Sequence, residues 1–207
     1  MDEEYKKTIE TYNLTAEEYS QKTKEIPPTM QIEKFVKLLK GKSVLDIGCA
    51  TGRDTIILHN KGLDIIGVDL SESMINIAKQ SYPHIDFHVM DLLQLDFNSE
   101  MFDGVYCNAT FLHIKRKDSK KAFDNIHNIL KKGGIFFVSI KGGDTEEVII
   151  DSRYEKYNEK FFAYYEIDEF ISLAKRSNFE LIEYDIRKKE TSSYNTHDFI
   201  NFYFRKN

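Results

Sequence analysis

The chain has 207 residues, 41% apolar and 13% aromatic, which suits one domain with a substantial core and excludes a disordered chain. No apolar run approaches the ~18 residues that a membrane span requires, and the charged start "MDEEYKKTIE" has no apolar signal core, so a cytoplasmic protein is expected. A net charge of −5 disfavours nucleic acid as the default partner, and two cysteines are too few for a four-cysteine metal site.

Residues 4–24 place Tyr5, Ile9, Tyr12, Ala16 and Tyr19 at helical spacing, which predicts a helix or helix pair with an aromatic stripe. Pro27 and Pro28 break it. A helix follows from Thr29, with Ile32, Phe35, Val36 and Leu39 on one face and Gly41 as its stop. Strands and helices then alternate. "KSVLDIG" (42–48), "LDIIGVD" (63–69), "HIDFHVMD" (84–91), "FDGVYCN" (102–108) and "GIFFVSIK" (134–141) read as strands. "RDTIILHNKG" (53–62), "SESMINIAKQSY" (71–82, capped by Ser71) and "DSKKAFDNIHNILKKGG" (118–134, ended by Gly133) read as helices. This alternation predicts a parallel sheet covered by helices on both faces. After a helix at "IDEFISLAKRS" (167–177), strands 179–187 and 197–207 are joined only by the polar segment 188–196. No crossover helix fits there, so that pair must be antiparallel.

The stretch "VLDIGCATGRDT" (44–55) raises the question of function. Asp46 closes a buried strand, and Gly48 and Gly52 leave the following backbone without side chains, as close approach to a ligand requires. Both a dinucleotide and S-adenosylmethionine are compatible with such a turn. The nicotinamide fingerprint places two residues before its last glycine, whereas Gly48, Ala50 and Gly52 are spaced two by two.

From Thr29 to its C-terminus the chain resembles the class I S-adenosylmethionine-dependent methyltransferases. "DIGCATG" resembles their first motif, "GVDLS" (67–71) the acidic end of the second strand, and "VMDLLQL" (89–95) the adenine turn. "FDGVYCNATFLHI" (102–114) resembles the fourth strand with its active-site loop, and "LKKGGIFFVS" (130–139) the glycine turn before strand five. The resemblance implies a three-layer Rossmann-like α/β fold, a seven-stranded sheet that is mostly parallel with an antiparallel C-terminal strand. It implies a single methyltransferase domain over residues 1–207, with S-adenosylmethionine as cofactor. Asp46 would meet the ammonium, and Asp69 both ribose hydroxyls, since two carboxylate oxygens suit a vicinal diol. Asp91 would take the adenine amine, with Leu70, Met74, Met90 and Leu92 as apolar walls. Ala50 stands where the family usually has glycine, which is tolerable at negative φ.

In "NATF" (108–111) Asn108 would touch the cofactor and Phe111 the acceptor. The two prolines of base-amine methyltransferases are missing there, which favours a small-molecule acceptor. No metal ligand set can be assembled. His113 is the candidate base; the alternative is that it orients its loop by bonding to backbone. Residues 1–27, with Tyr12 and Tyr19, and the insertion 141–166 would cover the substrate. Lys141, Arg153, Tyr154, Tyr157, Phe161, Phe162, Tyr164 and Tyr165 would form an aromatic, cationic pocket, or else pack the insertion onto the sheet. Cys49 and Cys107 read as pocket-lining thiols. The basic run 115–121 is either a solvated helix start or an RNA site. An RNA methyltransferase and a cofactor-binding protein without catalysis remain as alternatives; a monomer or homodimer is expected.

Overall fold

The computed structural model describes residues 2–24, 27–151, 153–154, 159–188 and 197–207. The N-terminal stretch is a helix pair, α1 (Glu3–Leu14) and α2 (Ala16–Thr23). The Asp2 carboxylate caps α1, and the Thr15 hydroxyl donates back to the Thr11 carbonyl at 2.7 Å where the chain bends. Helix α3 (Thr29–Leu38) buries Ile32 and Phe35. Then follow β1 (Ser43–Ile47), α4 (Arg53–Asn60), β2 (Asp64–Asp69), α5 (Glu72–Ser81), β3 (Asp86–Val89) and β4 (Phe102–Asn108). The Ser71 hydroxyl caps α5 by accepting from the Met74 N–H. After α6 (Ser119–Ile129) come β5 (Leu130–Lys141), β6 (Glu146–Ile150), β7 (Glu159–Ala163), α7 (Ile167–Arg176), β8 (Phe179–Arg187) and β9 (Phe199–Lys206).

Seven strands form one sheet in the order β3-β2-β1-β4-β5-β9-β8. The first five are mutually parallel, and β9 runs antiparallel to both its neighbours. Strand β5 shows why the sheet is buried on both sides. Phe136, Val138 and Ile140 belong to one core, with Phe123, Phe170, Phe202 and Phe204, while Ile135 and Phe137 belong to the other, with Phe35, Val44 and Tyr203. A period of two inside an unbroken apolar run feeds two faces at once. The strand order reverses between β1 and β4, so the connections leaving their carboxyl ends diverge and open a crevice.

Two expectations change. Helix α6 stops at Ile129, short of Gly133, because Leu130 is extended and pairs with Phe102. The strand thereby claims residues that helical periodicity had assigned to the helix. The insertion is a β-hairpin, β6 on β7, whose inner strand buries Phe161, Phe162 and Ala163. Among the described residues no helix is long and apolar enough to cross a membrane.

Candidate cofactor and acceptor site

The crevice at the carboxyl ends of β1, β2 and β4 is roofed by α1 and α2 and encloses a cavity of about 740 Å³, open mouth included. Asp69, Leu70, Met74, Met90 and Leu92 line it beside β2 and β3, Gly48, Ala50 and Asn108 beside β1 and β4, and His113 in the loop after β4, with Tyr12 and Tyr19 from the roof. Residues from distant parts of the sequence therefore meet as expected in these eleven cases.

The turn after β1 is held from two sides. The Gly48 and Cys49 N–H groups both donate to the Val68 carbonyl, at 2.7 and 3.0 Å. Asp69 accepts the Ala50 N–H on Oδ2 at 2.9 Å and the Ser71 N–H on Oδ1 at 2.8 Å. Each oxygen keeps a second lone pair, so the carboxylate can brace the turn and still receive a diol. Burial pushes the Asp69 pKa up, and the backbone N–H bonds oppose that rise. Asp46 is deeper. It accepts the Thr55 hydroxyl at 2.6 Å, and burial, reinforced by Asp54, pushes its carboxyl up to about 8.

The three small residues of the turn answer to different constraints. Gly48 has φ +72°, and a Cβ there would lie 1.9 Å from Thr110 Oγ1, so glycine is required by the loop after β4. Gly52, expected beside the ligand, does not line the cavity. Its added Cβ would meet the Tyr82 and Phe87 rings at 3.0 Å, so packing against the protein requires it. Ala50 lines the cavity at φ +48°, not the negative φ expected. Its N–H donates to Asp69 in this left-handed region, which disfavours a Cβ.

In the loop after β4 His113 is buried. Its Nδ1 lies 2.7 Å from the Phe161 carbonyl of β7, and its Nε2 lies 3.0 Å from the Tyr12 hydroxyl. A carbonyl only accepts, so Nδ1 carries the proton and Nε2 accepts from Tyr12. Burial pulls the imidazole pKa down to about 3, which leaves it neutral and a poor base. The backbone-bonding alternative is the one that the geometry supports.

Other expected residues lie elsewhere. Phe111 is fully buried against Phe123 and Phe170, and Tyr165 bonds Ser119 Oγ at 2.6 Å in the same core. Tyr154 is buried under the Lys160 ammonium. Arg153 grips Asp151 with Nε and Nη2 at 2.9 and 2.7 Å, and Lys141 is buried over the Phe162 ring. None of these five lines the cavity: Phe111 packs the loop after β4 into the core, and the other four belong to the packing of the insertion. Phe162 and Tyr164 form a small cluster with Leu112. Tyr157 lies outside the described residues. Cys49 borders a recess beside the main cavity, and Cys107 is core. Asp91 caps the short turn Leu92–Gln94 and accepts the Tyr5 hydroxyl at 3.3 Å on an adjoining surface.

A family model for a methyltransferase domain matches residues 44–134, a span that includes Gly48, Ala50, Asp69 and Asn108 of this cavity. Over that span the chain is similar to the class I S-adenosylmethionine-dependent methyltransferases. A ubiquinone biosynthesis O-methyltransferase of Coxiella burnetii is 34% identical over 105 residues, 49% of this chain and 44% of that protein. Phosphoethanolamine N-methyltransferase 3 of Arabidopsis thaliana is 32% identical over 111 residues, 51% of this chain and 22% of that protein. The chain thus spans less than half the length of these curated relatives. In fold it is similar to the Burkholderia thailandensis 1,6-didemethyltoxoflavin-N1-methyltransferase, solved with 1,6-didemethyltoxoflavin and S-adenosylhomocysteine. The TM-score is 0.76 at 18% identity, over 97% of this chain and 88% of that one.

Within this methyltransferase frame the sequence reading overlooked several neighbours of the site. Arg53 and Asp54, directly after the glycine turn, line a recess continuous with the cavity, and Tyr5 and Thr8 of α1 line the cavity itself. "GRDT" carried the first signal, since two charged residues open a helix just where the ligand turn ends. Tyr5 and Thr8 had none beyond helical phase. The donor set fits the cofactor: a buried carboxylate for an ammonium, a two-oxygen acceptor for a diol, and an apolar slot for a flat ring.

Proposed function

We propose that the protein transfers the methyl group of S-adenosylmethionine to a small organic acceptor. One observation carries the reading: Asp69 with its apolar neighbours and the hydrogen-bonded Tyr12–His113 pair line one and the same roofed cavity, together with Asn108. The cofactor supplies an electrophilic methyl on a sulfonium, a good leaving group, so the chain's work is placement. Asp69 takes the ribose hydroxyls and Asp46 the ammonium. Leu70, Met74, Met90 and Leu92 enclose the adenine, while Gly48 and Ala50 let the backbone pass close by. Asp91 receives the adenine amine by giving up Tyr5.

Tyr12 is the residue that touches the acceptor. With its proton directed to His113, its oxygen accepts an N–H or O–H of the acceptor and turns that atom's lone pair toward the methyl. His113 is a positioning residue that acts through Tyr12. Helices α1 and α2 form the lid, and the β6–β7 hairpin backs it through the Phe161 N–H on Thr8 and the Glu159 carbonyl on Thr11.

Relatives whose names specify phosphoethanolamine or 1,6-didemethyltoxoflavin support a small acceptor. Lys115 of the basic run is engaged with Asp2 and Glu4 of α1, at 2.9 and 2.5 Å, which weakens the case for RNA. Two buried free thiols support a cytoplasmic location.

The test is transfer of labelled methyl into the small-molecule and RNA fractions of a cell extract. Label in a small molecule is expected; label confined to RNA sinks the reading. Once the acceptor is known, Tyr12→Phe should lower turnover by about 10–100-fold. The rate should show no inflection near pH 6.5, because His113 does not titrate there. A rate that follows an ordinary histidine pKa, lost in His113→Gln, would restore His113 as the base.

A further inference from the structure

The groups around the Tyr12–His113 pair are arranged to keep a second proton off it. The His113 Nδ1–H is engaged by the Phe161 carbonyl, and Nε2 accepts from Tyr12. The ring packs on Phe162 at 4.8 Å. Two buried lysines stand behind the pair: Lys160 Nζ lies 4.3 Å from the Tyr12 ring centroid, and Lys141 Nζ 4.5 Å from that of Phe162. The Asp151 carboxylate that pairs with Lys160 at 2.8 Å is shared with Arg153, so this group keeps a net positive charge. A proton relayed from an acceptor through Tyr12 to His113 would add another buried cation beside it. Burial, reinforced by the two lysines, pulls the imidazole pKa down to about 3, so only about one ring in 10⁴ carries a second proton at pH 7.

The remaining lining offers no substitute base. Among the described residues that line the cavity, Asp69 is the one carboxylate and no Lys or Arg appears; Asp69 is assigned to the ribose. Tyr5 and Tyr19 are phenols whose pKa burial raises. The Thr8 hydroxyl donates to the Glu4 carbonyl and accepts the Phe161 N–H, each at 2.9 Å. A hydroxyl acceptor therefore has nowhere in the cavity to leave its proton. A thiolate or carboxylate brings no proton, but it would face the Tyr12 oxygen, whose own proton is turned to His113 and which presents lone pairs. An atom that carries both an N–H and a lone pair meets these conditions.

We infer, resting on the methyl-transfer reading above, that the acceptor atom is the nitrogen of a neutral, weakly basic amine on a flat ring, an arylamine or amino-substituted heterocycle. Its N–H bonds the Tyr12 oxygen, and its lone pair faces the methyl. The N–C bond forms as the C–S bond breaks; the electron pair of that bond stays on sulfur, and the positive charge passes to nitrogen. The product gives its proton to water on release, as a weakly basic nitrogen does unaided. An aliphatic amine would arrive as an ammonium, with no lone pair and no base to free one. Tyr5, Tyr12 and Tyr19 line the cavity as a wall suited to a flat ring.

The test uses the intact protein, S-adenosylmethionine labelled with carbon-13 in its methyl group, and the small-molecule fraction of cells grown on nitrogen-15. A methyl carbon split by one-bond coupling to nitrogen is the expected product signal. A labelled methyl without that coupling sits on oxygen, sulfur or carbon; it overturns the inference and leaves methyl transfer standing. No labelled small molecule refutes the transfer reading, and the inference with it. A second readout is nitrogen-15 NMR of the His113 ring in the S-adenosylhomocysteine complex. One neutral tautomer, protonated at Nδ1, is expected at both pH 6 and pH 7. An Nε2–H tautomer or an imidazolium at pH 6 would turn the Tyr12 proton toward the acceptor, and either overturns the inference.

Discussion

Ala50 sits at φ +48° with its N–H donated to Asp69. Left-handed backbone costs an L-residue about 1–2 kcal/mol, part of which glycine returns as lost unfolded-state freedom. Ala50→Gly should therefore stabilise the protein by about 0.5–1 kcal/mol, raising Tm by about 1–4 °C. A lower Tm would mean that the methyl contributes packing worth more than the strain. Asp46 makes a pH prediction. Its folded carboxyl is raised to about 8 by burial and by Asp54 and Asp69, with Thr55 and Arg53 opposing. The unfolded value is about 3.9, so between these pH values the folded state holds the extra proton. The ligand-free protein loses stability as pH rises through that window and levels off above it. An ammonium beside Asp46 favours the ionised form, so cofactor binding at pH 7 should release close to one proton. Affinity for S-adenosylhomocysteine should climb from pH 6 to 8. Calorimetry in two buffers of different ionisation enthalpy reads the proton directly; a heat independent of buffer would remove Asp46 from the ammonium site.

At the scale of elements, α1 is attached to the rest mainly by specific polar bonds. The Thr11 hydroxyl donates to the Glu159 carbonyl at 2.8 Å, and Thr8 Oγ1 accepts the Phe161 N–H at 2.9 Å. Asn13 Oδ1 accepts the Ser71 hydroxyl and the Ser73 N–H at 2.7 and 3.1 Å. Thr8→Val removes the acceptor for a buried N–H and should cost about 1–3 kcal/mol. The loss belongs to the attachment of α1 to β7, so hydrogen exchange should quicken in α1 and β7 while β1 and β4 stay protected. Uniform loss of protection would mean that α1 is part of the global folding unit and no lid. This polar attachment also explains why the helix pair was legible in the sequence but its docking was not. Tyr5, Ile9, Tyr12 and Tyr19 gave the helical phase; Thr8 and Thr11, which fix the register on β7, look like ordinary polar helix residues.

For the molecule as a whole, β9 is the strand on which the sheet's completion depends. It pairs with β5 from Phe199 to Arg205 and with β8 from Phe199 to Lys206. Phe202 is fully buried and stacks on Phe204 at 5.6 Å, with Phe170 at 5.1 Å. Phe202→Ala should cost about 3–5 kcal/mol, read as a lower urea midpoint at unchanged slope. A cost below about 1 kcal/mol would mean that the aromatic cluster repacks around the void. Position and strand partner decide this value, and neither is visible in "INFYF" alone.

The sequence by itself determined the order and kind of most elements, because strand and helix periods differ and the glycines and prolines mark the ends. It also brought Asp46, Gly48, Ala50, Asp69 and Leu70 into a single β1-α4-β2 unit, where local geometry gathers them at the part of the crevice proposed for the cofactor. The antiparallel end of the sheet was legible too, since segment 188–196 is too short for a crossover. Only the tertiary structure decided where the aromatic residues of the insertion point. Tyr154 and Tyr165 are as suited to a core as to a pocket, as is Phe111 in the loop after β4, and all three are buried in the folded chain. It alone decided that His113 is neutral, because burial and the Phe161 carbonyl come from a segment almost fifty residues away. It alone set the sign of φ at Ala50, where the N–H meets an acidic side chain from the next strand. Chemistry carried by neighbours in sequence is written in the sequence; chemistry set by burial and by partners across the fold exists only once the chain has closed on itself.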